Sequence, residues 1–312
     1  MSEPTISVII PVRNEAAKIE QCLEAVFPQS LKPYEVIVVD GHSTDGTVER
    51  AQKFPVKVLY EDYHTRGGAC QVGIENAASE YVAFTDADCI PDRNWLQYLV
   101  NSFEKEVVGV GGQTRYNGKP LWGRSIDLAF ATLLGSANSV EGRLFQNRRF
   151  VNSISGCNSI YRKQDVLEAG GFNTGFVAED TELSKRLLKR GKLLYIPTAI
   201  VVHEQEKSLK GFAKRIHKWG QTRATIAKFN LQVVPPLLIP LLLLSLLFTR
   251  WILIVAIGIY LLAIIIVGAK FAIQEKDFRY LLSIPIVFVI EHSAYTVGFW
   301  KEVIKPRKKG GP

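Results

Sequence analysis

Two patterns of apolar residues divide the chain. Up to about Glu206, short apolar runs alternate with charged positions, as in a soluble protein. Runs of β-branched and aromatic residues predict strands at residues 5–10, 34–39, 56–60 and 81–85. Apolar positions at helical spacing predict helices at 16–26, 47–54 and 68–78, with Asp45 placed to cap the second. Because strands and helices alternate, we expect an α/β fold with a mostly parallel sheet and helices on both faces.

From residue 231 to residue 300 the chain is overwhelmingly aliphatic. Three apolar stretches, at 231–248, 251–269 and 281–299, approach the length of about 20 residues that a helix needs to cross a bilayer. They predict about three transmembrane helices. The first stretch contains Pro235, Pro236 and Pro240, so a buried or re-entrant segment is the alternative there.

Basic residues cluster on both sides of this apolar region. The net charge is +8, with seven Lys or Arg residues in 207–228 and five in 301–309. Within 207–230 the apolar residues fall near one helical face and the lysines on the others, which predicts an amphipathic helix lying on the membrane. We attribute the charge to contact with membrane lipids and expect no nucleic-acid partner, since no recognition motif accompanies it.

The predicted organisation is a domain at 1–206, an interfacial amphipathic helix at 207–230, transmembrane helices at 231–300 and a basic tail at 301–312. Residues 1–15 contain no continuous apolar run, so we expect no signal peptide. The first domain should then be cytoplasmic in a multi-pass protein of the cell membrane. Three spans would place the tail outside, against the tendency of Lys and Arg to remain in the cytoplasm.

The four cysteines, Cys22, Cys70, Cys89 and Cys157, show no C-x-x-C spacing. They also lie in the part expected to be cytoplasmic, where thiols stay reduced. We therefore expect structural thiols, with neither a zinc site nor a disulfide framework.

Polar residues follow the ends of three predicted strands, where parallel sheets bind their ligands. The segments are Pro11-Val12-Arg13-Asn14-Glu15, Asp40-Gly41-His42-Ser43 and Asp86-Ala87-Asp88. Mg²⁺ and Mn²⁺ prefer oxygen ligands and commonly bind one or two carboxylates together with phosphate oxygens. Each segment also has a structural interpretation, because Asp is common in turns and helix caps.

Three later features add to this set. Gly170-Gly171-Phe172 precedes Glu179-Asp180-Thr181-Glu182-Leu183, which begins a helix, and the helix dipole by itself favours acids there. His203 ends another predicted apolar strand. A histidine at this position is either a metal ligand or a structural residue.

In order and spacing, these motifs closely resemble the inverting family 2 glycosyltransferases, whose catalytic domain has the GT-A fold. The resemblance covers residues 5 to about 205. Farther on, Arg215-Ile216-His217-Lys218-Trp219 resembles the (Q/R)-x-x-R-W motif of the cellulose-synthase-like branch. Lys218 stands where that motif has arginine, so it keeps the charge but loses the bidentate fork. A basic membrane anchor without a catalytic role is the alternative for this helix.

The resemblance implies a role for each residue. Asp180 would be the catalytic base, and Mn²⁺ or Mg²⁺ would be held by Asp86, Asp88 and His203. The nucleotide-sugar donor would be bound by Pro11, Arg13, Glu15, Asp40, Arg66, Gly67, Gly68, Asp86, Arg215, Lys218 and Trp219.

The resemblance also implies the substrates. We expect one hexose to pass from GDP-mannose, or second from a UDP-hexose, to a lipid-linked acceptor such as a dolichyl or polyprenyl (di)phosphate glycan. If the acceptor is a polyprenyl phosphate, the attacking oxygen is already charged and needs no base. A non-catalytic nucleotide-sensing domain on a membrane anchor is the other alternative. It predicts a degraded set of acids, whereas Asp40, Asp88 and Asp180 are all present.

Overall fold

A computed structural model describes residues 4–136, 145–175, 178–204, 208–226, 234–244 and 250–306. The chain divides into two compact units. The first unit comprises Met1–Arg115 and Leu144–Glu204, and the second comprises Tyr116–Arg143 and Gln205–Pro312. The sequence analysis assigned residues 116–143 to the first domain, whereas the structure groups them with the C-terminal helices.

The first unit is built on a mixed sheet. Its strands are β1 (Ile6–Val12), β2 (Glu35–Asp40), β3 (Lys57–Tyr60), β4 (Tyr81–Phe84), β5 (Cys89–Pro91), β6 (Val107–Tyr116), β7 (Arg149–Val151), β8 (Ser159–Arg162) and β9 (Lys192–His203). Their order is β3-β2-β1-β4-β8-β6-β9-β5, with β7 also paired to β9. The first four strands are parallel, as predicted. β8 joins β4 and β6 antiparallel, and β5 and β7 join β9 antiparallel.

Helices cover both faces of this sheet. They are α1 (Ile19–Val26), α2 (Thr47–Ala51), α3 (Arg66–Asn76), α4 (Trp95–Val100), α7 (Lys163–Glu168) and α8 (Glu179–Leu187). Alternate residues of β1 enter two separate cores: Val8 packs with α1 and α4, and Ile9 packs with α3 and α8. A strand buried on both faces reads as a continuous apolar run, which is why β1 and β2 could be predicted from sequence.

A buried asparagine ties the antiparallel half of the sheet together. Asn158 is fully buried and accepts a hydrogen bond at Oδ1 from Nε1 of Trp95, 2.8 Å away. Its amide nitrogen donates to the carbonyl oxygens of Gln113, at 3.0 Å, and Ala199, at 3.1 Å. One side chain thereby connects α4, β6 and β9. Buried polar groups require such partners, because an unpaired one costs about 1 to 3 kcal/mol.

The second unit is helical in its described residues. Its helices are α5 (Leu121–Phe130), α6 (Leu133–Ser136), α9 (Leu209–Ile226), α10 (Val234–Leu244), α11 (Arg250–Gln274) and α12 (Tyr280–Ile304). Phe130, Phe212, Ile264 and Phe288 belong to one apolar cluster shared by α5, α9, α11 and α12. The predicted amphipathic helix is present as α9. Its apolar side is buried in this cluster, and its lysines remain exposed.

The backbones of α9 and α12 approach each other closely at two glycines. A Cβ atom at Gly220 would lie 2.1 Å from the carbonyl oxygen of Tyr295, and one at Gly298 would lie 2.1 Å from that of His217. Any side chain at either position would force the helices apart. The contact is therefore specified by the glycines.

Two helices in the described part of the chain are long and apolar enough to cross a membrane, Trp251–Gln274 and Tyr280–Ile304. They correspond to the second and third predicted spans. The first predicted span, at 231–248, lies partly outside the described residues. Its described part, α10, has 11 residues, about half of what a spanning helix needs. The structure therefore supports two of the three expected spans, the second and the third.

Replacing Asn158 by Ala should lower the free energy of unfolding by about 3 kcal/mol or more, because three buried hydrogen bonds lose their partner. Chemical unfolding of the detergent-solubilised chain, followed by tryptophan fluorescence, measures this change. Asn101→Ala serves as the control, since Asn101 is exposed and its loss should alter stability by less than about 0.5 kcal/mol. Equal stability of the two variants would contradict the role of Asn158.

Candidate active site

A cavity of about 280 Å³ opens in the first unit beside the carboxyl ends of β1 and β4. Seven of the predicted site residues line it, namely Pro11, Arg13, Glu15, Arg66, Asp86, Asp88 and His203. The other lining residues are Val12, Glu61, His64, Thr65, Ala69 and Ala87. β1 and β4 pair in parallel, so their polar ends meet at one edge of the sheet. The structure thus brings two of the three predicted strand-end motifs, those after β1 and β4, into one cavity, whereas the segment Asp40–Ser43 does not line it.

Arg66 connects two acids at this edge. Its Nη2 lies 2.7 Å and its Nε 3.0 Å from Oδ1 of Asp86, while its Nη1 lies 2.5 Å from Oε1 of Glu179. The guanidinium also packs against Gly156, where a Cβ atom would lie 2.7 Å from Nη1. Burial lowers the pKa of Arg66, but its acidic neighbours outweigh burial and raise it. Arg66 therefore stays charged and fixes the Asp86 carboxylate at the mouth of the cavity.

Asp88 faces His203 because β5 pairs with β9. Asp88 immediately precedes β5, and the register places Cys89 opposite His203. Oδ2 of Asp88 lies 3.1 Å from Nε2 of His203 and 3.8 Å from Nζ of Lys18. Burial lowers the pKa of His203, but the hydrogen bond to Asp88 and the charges of Cys157 and Asp88 raise it to about 9. The imidazole is therefore charged at neutral pH.

The donor atoms at the cavity fit a divalent cation. One carboxylate oxygen from each of Asp86 and Asp88 lies within 4.8 Å of the other. His203 adds an imidazole nitrogen beside Asp88. Two carboxylates and an imidazole form a donor set that suits Mn²⁺, and the carboxylates alone suit Mg²⁺. A bound cation would displace the proton of His203, because only neutral imidazole coordinates a metal, and would balance the negative charge that Lys18 and protonated His203 otherwise balance.

Asp180 lies in the first turn of α8, next to Glu179. The backbone nitrogen of Gly156 donates to Oδ2 of Asp180 at 3.2 Å, and that of Thr181 donates to Oδ1 at 2.6 Å. Burial and the negative charge of Glu179 raise the pKa of Asp180 to about 6, although Arg66 lowers it. Asp180 is not among the residues that line the cavity. At neutral pH it is an oriented carboxylate with a strengthened affinity for protons.

Asp40, predicted to contact the donor, directs the hydrogen bonds of its carboxylate to residues of its own turn. It is 1% exposed and accepts hydrogen bonds from the backbone nitrogen of Ser43, at 2.9 Å, and from the Ser43 hydroxyl, at 2.5 Å. Asp45 does not occupy the cap position of α2, which belongs to Gly46; it accepts from the backbone nitrogens of Thr47 and Ala16. These bonds fix the loops that follow β1 and β2.

Glu61, which the sequence analysis did not single out, lines the cavity instead. It directly follows β3, whereas Asp40 is the last residue of β2, and its backbone nitrogen donates to the carbonyl oxygen of Asp40 at 3.1 Å. Its side chain is 3% exposed, and Oε2 has no hydrogen-bond partner. Glu61 directly follows the predicted strand 56–60, so the rule that parallel sheets bind ligands at the carboxyl ends of their strands is the signal that could have found it.

Gly67 and Gly68, predicted near the donor diphosphate, are required by packing in the first turn of α3. A Cβ atom at Gly67 would lie 2.3 Å from the carbonyl oxygen of Asn173, and one at Gly68 would lie 2.5 Å from Cβ of Tyr63. Neither glycine lines the cavity. The predicted contact with the diphosphate remains a prediction.

The remaining predicted site residues lie on α9 in the second unit. The guanidinium of Arg215 stacks over the ring of Trp219, 5.7 Å from its centroid. Trp219 is 38% exposed, and Lys218 is exposed beside it. An exposed tryptophan with an arginine on its face has the chemistry of a sugar or phosphate platform.

Two cysteines lie beside His203. Cys89 is fully buried, and Cys157 precedes β8 and is 6% exposed. One ligand atom from each of Cys89, Cys157 and His203 lies within 4.8 Å of the others. A hydrogen bond from Cys89 lowers the pKa of Cys157 to about 7 against the effect of burial. The cysteines are free, as expected, but their grouping around a histidine was not predicted.

Comparison with known proteins identifies the family. The sequence matches glycosyl transferase family 2 over residues 7–168. It is 26% identical over 324 residues to dolichyl N-acetyl-α-D-glucosaminyl phosphate 3-β-D-2,3-diacetamido-2,3-dideoxy-β-D-glucuronosyltransferase of Methanococcus voltae, covering 96% of this chain and 97% of the relative. It is 34% identical over 181 residues to glycosyltransferase AglE of Haloferax volcanii, covering 54% of this chain and 55% of AglE.

A solved structure shows the same fold. The mannosyltransferase PcManGT from Pyrobaculum calidifontis, in complex with GDP-Man and Mn²⁺, superposes with a TM-score of 0.62 at 18% sequence identity. The superposition covers 95% of this chain and 88% of PcManGT. The GT-A fold predicted from the motifs is therefore confirmed. Since the family match covers more than half of the chain, this protein belongs to glycosyltransferase family 2.

Proposed function

We propose that the protein transfers one hexose from a nucleotide-sugar to a lipid-linked acceptor at a membrane, in the assembly of a lipid-linked glycan. The observation that carries the proposal is the cavity in which Asp86, Asp88 and His203 meet at the carboxyl edge of the sheet. The Methanococcus voltae relative, which matches nearly the whole chain, acts by its name on a dolichyl-linked sugar phosphate. That name supports a lipid-linked acceptor here.

In this proposal Asp86, Asp88 and His203 hold Mn²⁺ or Mg²⁺ together with the donor diphosphate. The cation, when bound, offsets the negative charge that develops on the departing nucleoside diphosphate. Arg66 keeps the Asp86 carboxylate oriented toward the cavity, and the site needs this preorganisation because a free carboxylate would rotate. Arg13 and Glu15 line the cavity at the end of β1, next to the end of β4, and contact the donor nucleoside.

Glu61 selects the donor nucleotide. An unpartnered carboxylate oxygen in a nearly buried position requires an N–H or O–H donor, which a ribose or a nucleobase supplies. Guanine presents two adjacent N–H donors to a carboxylate, whereas uracil presents one. We therefore favour GDP-mannose and place a UDP-hexose second. Pro11, lining the same cavity, provides apolar contact.

Asp180 acts as the base toward an acceptor hydroxyl. Its two oxygens are held by backbone N–H donors, which leaves lone pairs on a carboxylate whose pKa is about 6. A base near neutrality is well matched to removing a proton as the hydroxyl attacks C1 of the sugar from the face opposite the diphosphate. The proton passes to Asp180, and the anomeric configuration inverts.

The second unit anchors the enzyme. Lys210, Lys214 and Lys218 are exposed on α9, and each basic residue near an anionic surface contributes about 1 kcal/mol to binding. α11 and α12 cross the membrane in a multi-pass arrangement, with the first domain in the cytoplasm. In this organisation, residues 1–206 form the catalytic domain, 207–230 the interfacial helix, 231–300 the membrane region and 301–312 the basic tail. Arg215 and Trp219 on the interfacial helix contact the donor and the acceptor.

The proposal is tested by incubating membranes that contain the protein with labelled nucleotide-sugars and Mn²⁺, followed by lipid extraction. We expect label in the lipid fraction with GDP-mannose. Label in that fraction with none of the nucleotide-sugars tested would contradict the proposed function.

Asp88→Ala should abolish both transfer and Mn²⁺-dependent donor binding, because the cation loses its central carboxylate. Isothermal titration of the purified protein with the nucleoside diphosphate, with and without Mn²⁺, measures the second effect. Asp92→Ala is a matched control, since Asp92 is an exposed acid four residues along the chain from Asp88. Unchanged Mn²⁺-dependent binding in Asp88→Ala would remove the metal assignment.

Glu61→Gln should weaken donor binding about 10- to 100-fold, the effect of losing a hydrogen bond to a charged acceptor. If Glu61 contacts guanine, binding of GDP falls more than binding of UDP; if it contacts ribose, both fall equally. Titration of each nucleotide into the variant separates these outcomes. Glu49→Gln, which alters an exposed acid on α2, should bind as the wild type does. Equal affinities in all three proteins would exclude Glu61 from the donor site.

Asp180→Asn should lower the rate at saturating donor by about 100- to 10,000-fold if the acceptor is a hydroxyl. In the wild type, protonation inactivates the base, so the rate should fall about tenfold for each pH unit below about 6 and level off above it. Glu182→Gln, on the same helix, is the control. A small loss in Asp180→Asn would instead indicate a polyprenyl phosphate acceptor, which is already ionised.

A further inference from the structure

We propose that Cys89, Cys157 and His203, together with Asp88, form a second metal site that takes zinc-class cations in preference to Mn²⁺ or Mg²⁺. Occupation of this site withdraws Asp88 and His203 from the catalytic cation and inhibits the enzyme. The binding itself rests on the geometry of these four side chains. Only the inhibition rests on the proposed function.

The fold brings the four residues together from three separate segments. Asp88 and Cys89 lie at the start of β5, and the antiparallel register sets Cys89 opposite His203 on β9. Cys157 comes from the turn before β8, and its neighbour Asn158 is fixed by three buried hydrogen bonds. The ligand set is therefore positioned by sheet pairing and by a buried side chain, which makes it preorganised.

The distances approach those of a tetrahedral zinc site. The ligand atoms of Cys89, Cys157 and His203 all lie within 4.8 Å of one another. Oδ2 of Asp88 is 3.1 Å from Nε2 of His203, and Oδ1 is 3.8 Å from Sγ of Cys89. Zinc bonded to sulfur at about 2.3 Å and to nitrogen at about 2.0 Å holds its ligands about 3.3 to 3.8 Å apart. Closing the cluster around zinc therefore needs a contraction of at most about 1 to 1.5 Å.

Ligand chemistry separates the two sites. Two thiolates and an imidazole are soft to borderline donors and favour Zn²⁺, Cd²⁺ or Co²⁺ over Mg²⁺ and Mn²⁺. The catalytic set of Asp86, Asp88 and His203 contains two carboxylates and no thiolate, which favours the harder ions. Asp88 and His203 belong to both sets, so a cation bound to the thiolates competes for the ligands of the catalytic cation. The cysteines do not line the cavity, and a cation reaches them past Asp88 and His203, which do.

Cobalt provides a direct test of binding. The full-length protein, in detergent and kept reduced with a phosphine, is freed of metal and titrated with Co²⁺. We expect one Co²⁺ per chain, with the intense near-ultraviolet absorption of cobalt–thiolate bonds and the visible bands of tetrahedral cobalt. Zn²⁺ at one equivalent should remove the absorption, and a large excess of Mn²⁺ should not. Absence of the thiolate absorption would overturn the proposal.

Variants assign the ligands. Cys89→Ser and Cys157→Ser should each lose most of the thiolate absorption, whereas Cys22→Ser, a fully buried thiol outside the cluster, should retain it. Absorption that survives in both cluster variants would also refute the site. Should the cluster variants fail to fold, zinc X-ray absorption of the wild type counts the sulfur neighbours directly. Two sulfur ligands support the site, and none overturns it.

Activity measurements then test the regulatory part. At saturating Mn²⁺, Zn²⁺ should inhibit transfer, and Cys157→Ser should require at least about tenfold more Zn²⁺ for half-inhibition. Equal sensitivity of the wild type and Cys157→Ser would refute inhibition through this site. Loss of transfer in every protein, together with normal cobalt spectra, would count against the proposed function and leave the metal site supported.

Discussion

The site depends on the balance between a group of partly buried acids and a few cations. Arg66 pairs with Asp86 and Glu179, while Lys18 lies 3.8 Å from Asp88 and 3.6 Å from Glu15. Removing one cation would leave carboxylates repelling each other in surroundings that screen charge poorly. Protonated His203 contributes the remaining positive charge at Asp88. A divalent cation bound by Asp86 and Asp88, as we propose, would add to this balance, because a doubly charged cation would replace weaker positive partners.

The parallel half of the fold could be predicted from sequence with little error. β1 and β2 are buried runs rich in β-branched residues, and β4 is a short apolar run. The polar residues that follow β1 and β4 meet at the cavity. The antiparallel half was harder to predict for a physical reason. β5 and β7 have three residues each, too few to show a period, and they exist because β9 offers its edges. The same pairing places His203 beside Asp88, which no local pattern could show.

Two acids with similar positions in sequence have different surroundings in the structure. Asp40 ends β2 and Glu61 directly follows β3, but only Asp40 has a serine three residues later that can donate to it. Its oxygens are consequently used within the turn. Glu61 has no such neighbour, and its longer side chain reaches the cavity with one oxygen unpartnered. The motifs located the strand ends, whereas the acid that keeps an unpartnered oxygen at the cavity is determined by short-range hydrogen bonding. The predicted donor contact of Asp40 remains a prediction.

The reciprocal glycine contact between α9 and α12 has a mechanical consequence. Gly220 and Gly298 each contact a backbone carbonyl oxygen of the other helix. The two helices therefore cannot slide or separate without losing these backbone contacts. In the membrane arrangement that we propose, α9 places its lysines at the headgroups and α12 crosses the hydrocarbon, so lifting α9 away from the headgroups would tilt α12. Headgroup charge and bilayer thickness would then act on one shared degree of freedom, and a change in either lipid property would move both helices together.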